Sequence, residues 1–241
     1  NIDYASLAYQ MLAYQMLFYQ MLAYQIFVYF VFTVQLISKA YLMWQKNSDI
    51  LSYVHFFLIE NTMLDKNDTG LIVVDVQGKL SHLVHNSEMM FQNVAKLIKG
   101  CTLLELPILV LEQNPEKLGK TASEIRRLLN SYPCIKKHTF DACASPRFVE
   151  KINKVGVKHW LICGIEAHVC VYQTAMSLKQ MGKSIELVVD SIGSREDTNK
   201  QAAITKLLSK DVGITSTEMC LFEMIKDCKD DKFKALLDIV R

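Results

Sequence analysis

The 241-residue sequence lacks the cysteine and charge patterns that mark several common classes of protein. Its seven cysteines are an odd number and include no CxxC pair, which argues for reduced thiols and against a disulfide framework or structural zinc. The formal net charge is only +2, and no basic run interleaved with aromatic residues predicts a nucleic-acid partner. We therefore expect a cytoplasmic protein, with a mitochondrial location as the alternative, and no nucleic-acid partner.

Charge is missing altogether between Asp3 and Lys39, where the chain repeats a unit close to Ala-Tyr-Gln-Met-Leu. A period of five residues matches neither 3.6 nor 2, so no single helix or strand face collects the apolar residues. Residues 16–37 are long and apolar enough to span a bilayer, which takes ~20 residues. They could form a membrane helix, a disordered tail or a segment foreign to the natural protein. No basic n-region or small-residue cleavage site is present, so we do not expect a cleaved signal peptide.

The composition becomes that of an ordinary globular protein near residue 68, and we divide the chain there. Residues 1–67 form an N-terminal extension, and residues 68–241 form one domain. A membrane partner is expected only if residues 16–37 form a transmembrane helix. We predict that a chain starting near Asn67 is soluble and folded.

Within the domain, short apolar runs alternate with segments of helical periodicity. Strands are predicted at 71–76, 107–112, 134–140, 157–163, 184–190 and 213–216. Helices are predicted at 90–100 (closed by Gly100), 124–129, 146–155, 169–181 and 196–209, with helical turns after them. This alternation implies right-handed βαβ units, and hence an α/β fold whose parallel sheet is covered by helices on both faces.

One stretch, residues 158–171, combines a strand, a turn and the start of a helix. Its apolar run at 160–163 predicts a buried strand, Gly164 permits a tight turn, and helical spacing begins at Val169. Cys170 then lies just past the carboxyl end of a strand, where open α/β sheets bind ligands. The amides and dipole of a helix N-terminus would lower the pKa of its thiol. The alternative is that Cys170 is a small buried apolar residue.

The residues Gly-Ile-Glu-Ala-His-Val-Cys-Val at 164–171 and Asp-Ser-Ile-Gly-Ser-Arg at 190–195 carry a resemblance to a known family. They resemble the isochorismatase-like cysteine hydrolases, and within them the branch of isochorismatase domain-containing proteins. The resemblance covers residues 68–241. It implies a three-layer α/β/α sandwich around a six-stranded, mostly parallel sheet.

The resemblance also implies an Asp–Lys–Cys catalytic triad, which falls here on Asp75, Lys137 and Cys170. Asp75 follows an apolar run, a costly place for a carboxylate that has no partner or task. Lys137 is chosen over Lys136 because it stands three residues before Phe140, as the branch's motif requires. Asp75 would accept the thiol proton, Lys137 would hold the carboxylate, and Cys170 would attack a carbonyl carbon.

The same resemblance implies an oxyanion hole formed by the backbone N–H groups of Glu166 and Cys170. It places a non-proline cis peptide bond between Ile165 and Glu166 to aim those groups. Four further residues are candidates for the wall of the substrate pocket: Gln77, Gln113, Phe140 and His168.

The segment at 111–119 reads Leu-Glu-Gln-Asn-Pro-Glu-Lys-Leu-Gly and contains no histidine. The nicotinamidases of this family place a metal on histidines there, so we expect neither a metal nor another cofactor. The resemblance therefore implies hydrolysis of an amide-type C–N bond in a small molecule, through an acyl-enzyme. A non-catalytic scaffold domain and a thiol-redox sensor are the alternatives. Because oligomers are common in the family, we also expect a homo-oligomer.

Overall fold

A computed structural model of the chain describes residues 63–241, which contain a single six-stranded sheet. The strands are β1 (Thr69–Val74), β2 (Ile108–Gln113), β3 (Cys134–Lys137), β4 (His159–Ile165), β5 (Ser184–Gly193) and β6 (Gly213–Thr215). Their order across the sheet is β3-β2-β1-β4-β5-β6, and every neighbouring pair is parallel. The predicted six-stranded, mostly parallel sheet is confirmed.

Helices alternate with these strands along the chain. They are α1 (Ser87–Leu103), α2 (Pro115–Leu118), α3 (Ser123–Arg126), α4 (Pro146–Val155), α5 (Tyr172–Gln180), α6 (Asp197–Leu208), α7 (Thr217–Ile225) and α8 (Phe233–Val240). A π-helical turn, Ala167–Val171, leads directly into α5. The sequence predicts that Gly100 ends this helix, but Gly100 lies inside α1, which continues to Leu103. A Cβ on Gly100 would stand 2.5 Å from Leu221 of α7, so the glycine allows the two helices to pack closely.

The two faces of the sheet bury two separate apolar cores, and β1 shows how the sequence creates them. Successive side chains of a strand point to opposite faces. Leu71 and Val73 accordingly belong to a core that includes side chains of α1, α3, α7 and α8, whereas Ile72 and Val74 belong to one that includes side chains of α4, α5 and α6. All four side chains are at most 1% exposed, and each contributes about 1.5–3 kcal/mol of hydrophobic stabilisation. This arrangement is the predicted three-layer α/β/α sandwich.

The direction of strand addition reverses between β1 and β4, which lie next to each other in the sheet. Open α/β sheets bind their ligands at such a point, outside the carboxyl ends of the strands. Gly164 lies within β4 and not in a turn, contrary to the sequence-based expectation, and the register against β5 shifts beside it. Its φ is +131°, and a Cβ there would stand 2.0 Å from the Val74 carbonyl oxygen. Glycine therefore lets the two central strands approach closely just before the π-helical turn.

Leu64, near the start of the described residues, is 2% exposed and packs into the core on the α1 side of the sheet. Its backbone N–H donates to Glu223 Oε1 at 2.7 Å. Contacts group Thr62–Arg241 into one compact unit. We therefore propose that the stable domain begins by Thr62, ahead of the boundary at residue 68 that the sequence predicts. Across residues 63–241 no helix is long and apolar enough to cross a membrane, and the predicted span at 16–37 lies outside the described residues.

A chain that starts at Asn67 should be less stable than one that starts at Thr62, by about 2–3 kcal/mol. The expected difference is the hydrophobic contribution of burying the Leu64 side chain. Urea unfolding followed by circular dichroism measures it. In the longer chain, Leu64→Ala should reproduce most of the loss. Equal stability of the two chains would support the boundary at residue 68.

Candidate active site

The carboxyl edge of the sheet brings together the residues that the sequence singled out from distant segments. Asp75 follows β1, Gln113 ends β2, Lys137 ends β3, and Cys170 lies in the π-helical turn after β4. Asp75 and Cys170 face a cavity of ≈ 250 Å³. Of the four residues that the sequence offers as candidates for the pocket wall, Gln77, Gln113 and Phe140 also line this cavity and His168 does not.

Lys137 and Asp75 form a buried ion pair behind the cavity. The Lys137 Nζ lies 2.7 Å from Asp75 Oδ2, and the two side chains are 0% and 5% exposed. The ammonium also donates to Gln113 Oε1 at 2.7 Å, and the carbonyl oxygens of Thr139 and Phe140 lie at 3.3 and 3.4 Å. Each of its three N–H groups thus has an acceptor, which is what a buried cation requires.

The amide of Gln113 is fixed in one orientation by its neighbours. Its Nε2 donates to the His138 carbonyl at 2.6 Å, which leaves Oε1 to accept from Lys137. The Gln77 side chain holds the Gln113 backbone from both sides, because its Oε1 accepts from the N–H at 2.7 Å and its Nε2 donates to the C=O at 2.8 Å. Sequence reasoning had placed both glutamines in the pocket wall and missed their role in holding Lys137. The only sign of this role in the sequence is that Gln113 follows an apolar run and so stands at the end of a predicted strand.

Cys170 is 6% exposed as a whole residue, and its thiol lies within the influence of the Asp75–Lys137 ion pair. Burial, reinforced by the charge of the Asp75 carboxylate, raises the pKa of Cys170 to about 12, while the Lys137 ammonium opposes the shift. The sequence-based expectation of a lowered thiol pKa is therefore wrong, because burial and a neighbouring anion outweigh the helix N-terminus. At neutral pH the thiol keeps its proton. Within the described residues, Asp75 Oδ1 is buried and has no nitrogen or oxygen partner.

Replacement of Lys137 by methionine should lower the free energy of unfolding by about 3–5 kcal/mol, because it leaves the Asp75 carboxylate buried and unpaired. Urea denaturation measures the loss. Lys136 is the matched control: its ion pair with Glu116 is about 60% exposed on both sides, so Lys136→Met should cost at most about 1 kcal/mol. The double variant Asp75→Asn with Lys137→Met should recover part of the loss. Equal losses in the free energy of unfolding for Lys137→Met and Lys136→Met would contradict a buried Asp75–Lys137 ion pair.

The turn at Glu166 differs from the geometry implied by the family resemblance. Every peptide bond in residues 63–241 is trans, including the bond between Ile165 and Glu166, so the expected cis bond is not found. The chain changes direction instead through Glu166, whose φ is +53°. The Val169 N–H in the turn that follows donates to the Glu166 carbonyl at 2.8 Å. In general, the first N–H groups of a helix have no acceptor within it and can bind an anion.

The side chain of Glu166 contacts Arg195 and His168 at the same edge of the sheet. Arg195 Nη2 lies 3.3 Å from Glu166 Oε2, and His168 Nε2 lies 3.8 Å from the same oxygen. His168 Nδ1 is 3.1 Å from Ser194 Oγ, so its ring is held against the loop after β5 and not in the cavity.

Five cavity residues were not predicted as pocket residues from the sequence. They are Leu80, Leu118, Ile165, Val169 and Arg195. The four aliphatic side chains come from three separate segments, and no sequence pattern relates them. Arg195 belongs to the motif at 190–195 and could have been proposed from it.

No metal site is evident in the part of the chain that the structure describes. No group of three or more His, Cys, Asp or Glu side chains in that part is arranged to hold an ion.

Comparisons with known proteins agree with this fold. The model of the isochorismatase domain matches residues 69–219. The secreted isochorismatase effector Isc1 of Phytophthora sojae is 29% identical, over 71% of this chain and 83% of its own. Isochorismatase domain-containing protein 2 of Danio rerio is 27% identical, over 72% and 87%. Among solved structures, MAR1 ribonuclease from Caenorhabditis elegans superposes with a TM-score of 0.70 at 27% identity, covering 74% of this chain and 92% of that one.

The parallel α/β/α sandwich, with its polar residues at the switch point between β1 and β4, is the fold of an isochorismatase-like hydrolase. The chain belongs to the isochorismatase family, because the family model covers more than half of it. The resemblance inferred from residues 164–171 and 190–195 is confirmed.

Proposed function

We propose that the protein is a metal-independent cysteine hydrolase that cleaves an amide-type C–N bond of a small molecule. The observation that carries the proposal is the Asp75–Lys137 pair, 2.7 Å apart and buried, beside a thiol that opens onto a cavity. An unpaired carboxylate oxygen next to a protonated thiol supplies a base where a nucleophile needs one.

In the proposed reaction, Asp75 takes the thiol proton as the Cys170 sulfur attacks the substrate carbonyl carbon. A tetrahedral oxyanion forms, and the N–H groups of Glu166 and Cys170 donate to it; one such donor typically contributes ~3 kcal/mol to lowering the barrier. Asp75 then returns its proton to the nitrogen, the C–N bond breaks, and an acyl-enzyme remains. Water, deprotonated by Asp75, attacks the thioester and releases the acid and the thiol. Lys137 keeps its proton and its charge throughout.

The size of the cavity favours a small substrate over a polymer. Its volume of ≈ 250 Å³ falls below the ~300–1,000 Å³ typical of pockets for drug-sized ligands. One relative is described as a ribonuclease, but among the described residues Arg195 is the one cation that lines this cavity. Nucleic-acid binding relies on many Lys and Arg contacts to phosphates, so RNA is not the substrate that we propose. A homo-oligomer and a cytoplasmic location stay predictions.

The test is a substrate screen with wild type and Cys170→Ala. The panel contains primary amides, carbamoyl compounds, esters of the same acids and a short RNA. We expect wild type to hydrolyse at least one amide and intact-mass spectrometry to detect a transient acyl adduct on Cys170. Equal turnover by the variant would refute the mechanism. RNA cleavage without amide cleavage would favour the ribonuclease interpretation, and inertness toward the whole panel would favour a scaffold or redox role.

A further inference from the structure

Glu166 lines the cavity, and none of the contacts of its carboxylate is short. The side chain is 11% exposed. Its oxygens accept from the Arg195 guanidinium at 3.3 and 3.4 Å and from the Arg195 backbone N–H at 3.4 Å, and Oε2 lies 3.8 Å from His168 Nε2. Hydrogen bonds between charged groups are normally ~2.7–2.9 Å long. Glu166 is thus a nearly buried acceptor whose present partners leave room for a closer donor.

The backbone of Glu166 does not account for a glutamate at this position. A φ of +53° lies in the left-handed region, where glycine and asparagine fit with less strain than a longer side chain. Strained residues of this kind cluster at ligand sites, where the side chain has a task. Glu166 and Cys170 line the same cavity. The charge of the carboxylate also contributes, least among the causes, to the raised pKa of Cys170.

The charges around Glu166 indicate which donor it would take. Arg195, whose side chain is 58% exposed, already balances the carboxylate, and Lys137 balances Asp75. A cationic ligand at Glu166 would be repelled by the Arg195 guanidinium, and an anionic ligand would be repelled by the Glu166 carboxylate. An uncharged N–H group is repelled by neither charge. The remaining wall, formed by Leu80, Leu118 and other apolar side chains, suits an apolar remainder of the ligand.

We propose that Glu166 is the specificity-determining residue of this site, whose carboxylate accepts a hydrogen bond from the leaving N–H group of an uncharged primary amide or ureide. This inference rests on the proposed hydrolysis and adds its substrate class. Primary amides with small apolar acyl groups are then preferred to the corresponding N,N-dimethyl amides and methyl esters, which have no N–H to donate. The backbone N–H of the same residue remains the proposed oxyanion donor.

The experiment compares butyramide, N,N-dimethylbutyramide and methyl butyrate as substrates. In Glu166→Gln and Glu166→Asn, we expect the ratio of kcat/KM for amide over ester to fall roughly 10- to 100-fold, the factor that one hydrogen bond to a charged group contributes. Asparagine adopts the left-handed backbone conformation readily, so Glu166→Asn is expected to fold. The matched control is Glu112→Gln: Glu112 is buried and bonded to Thr121, and it does not line the cavity. In Glu112→Gln, the ratio of kcat/KM for amide over ester should stay within about threefold of the wild-type ratio.

A binding measurement separates failure of this inference from failure of the proposed function. Calorimetry with butyramide uses Cys170→Ala, alone and combined with Glu166→Gln. If wild type cleaves neither amide nor ester, hydrolysis of this class is refuted, while amide binding that weakens with Glu166→Gln still supports the inference. If amide and ester rates fall equally in both Glu166 variants, or if butyramide binding is absent or unaffected by Glu166→Gln, the inference is overturned.

Discussion

Cys170→Ala is expected to reduce kcat/KM for amide hydrolysis by about 10⁴-fold or more, because removal of a covalent nucleophile leaves only binding and oxyanion stabilisation. Substrate binding should be retained, since the other ten residues that line the cavity are unchanged. The side chain is small and 6% exposed, so the expected loss of stability is modest, about 1 kcal/mol. Steady-state kinetics on purified variants and a thermal unfolding curve measure the two effects separately.

Cys143 provides the matched control for this substitution. Its thiol is half-buried on the segment after β3 and does not line the cavity. Burial and the neighbouring Asp141 raise the pKa of Cys143 to about 12, as for Cys170, so the two thiols differ chiefly in position. Cys143→Ser should therefore leave kcat/KM within about threefold of wild type. Substantial turnover by Cys170→Ala would instead assign the reaction to another group.

The architecture could be predicted from the sequence because local patterns determine it. The run at 71–76 and the periodicity at 146–155 each record burial on a defined face, and the structure places a strand or helix at both. The carboxyl ends of parallel strands meet at one edge of a sheet, so Asp75 and Lys137 could be expected to converge without knowledge of their contact.

The finer features of the site depend on distances between side chains, which no local pattern encodes. The hydrogen bond from Lys137 to Gln113 follows from the register of β2 against β3, where Gln113 pairs with Lys137. The direction of the Cys170 pKa shift follows from burial competing with two opposite charges, and sequence alone does not weigh these. His168 was misplaced for a similar reason, since its ring position is set by Ser194 on another strand–helix connection.

Asp75→Asn should separate two effects of the carboxylate on Cys170: its action as a general base during turnover and its raising of the thiol pKa. Turnover should fall by about 10²–10⁴-fold, the usual contribution of a general base and acid. Alkylation of Cys170 by iodoacetamide at pH 8 should become faster. The negative charge that raises the thiol pKa is gone, while Lys137 still lowers it, so a larger fraction is thiolate at that pH. Each unit by which the pKa falls increases the rate by up to about tenfold.

Peptide-resolved mass spectrometry distinguishes this effect from general loosening of the fold. Cys101, Cys163 and Cys220 are 0% exposed, so they should stay unlabelled in a folded variant and react in an unfolded one. Asp141→Asn is the control, because Asp141 raises the pKa of Cys143 and is not among the groups that shift Cys170. Faster labelling of Cys170 together with lost turnover would mean that the charge of the carboxylate keeps the thiol protonated until a substrate arrives. Slower labelling would mean that Asp75 promotes the resting thiolate, and the proton transfer that begins the proposed reaction would have to be assigned differently.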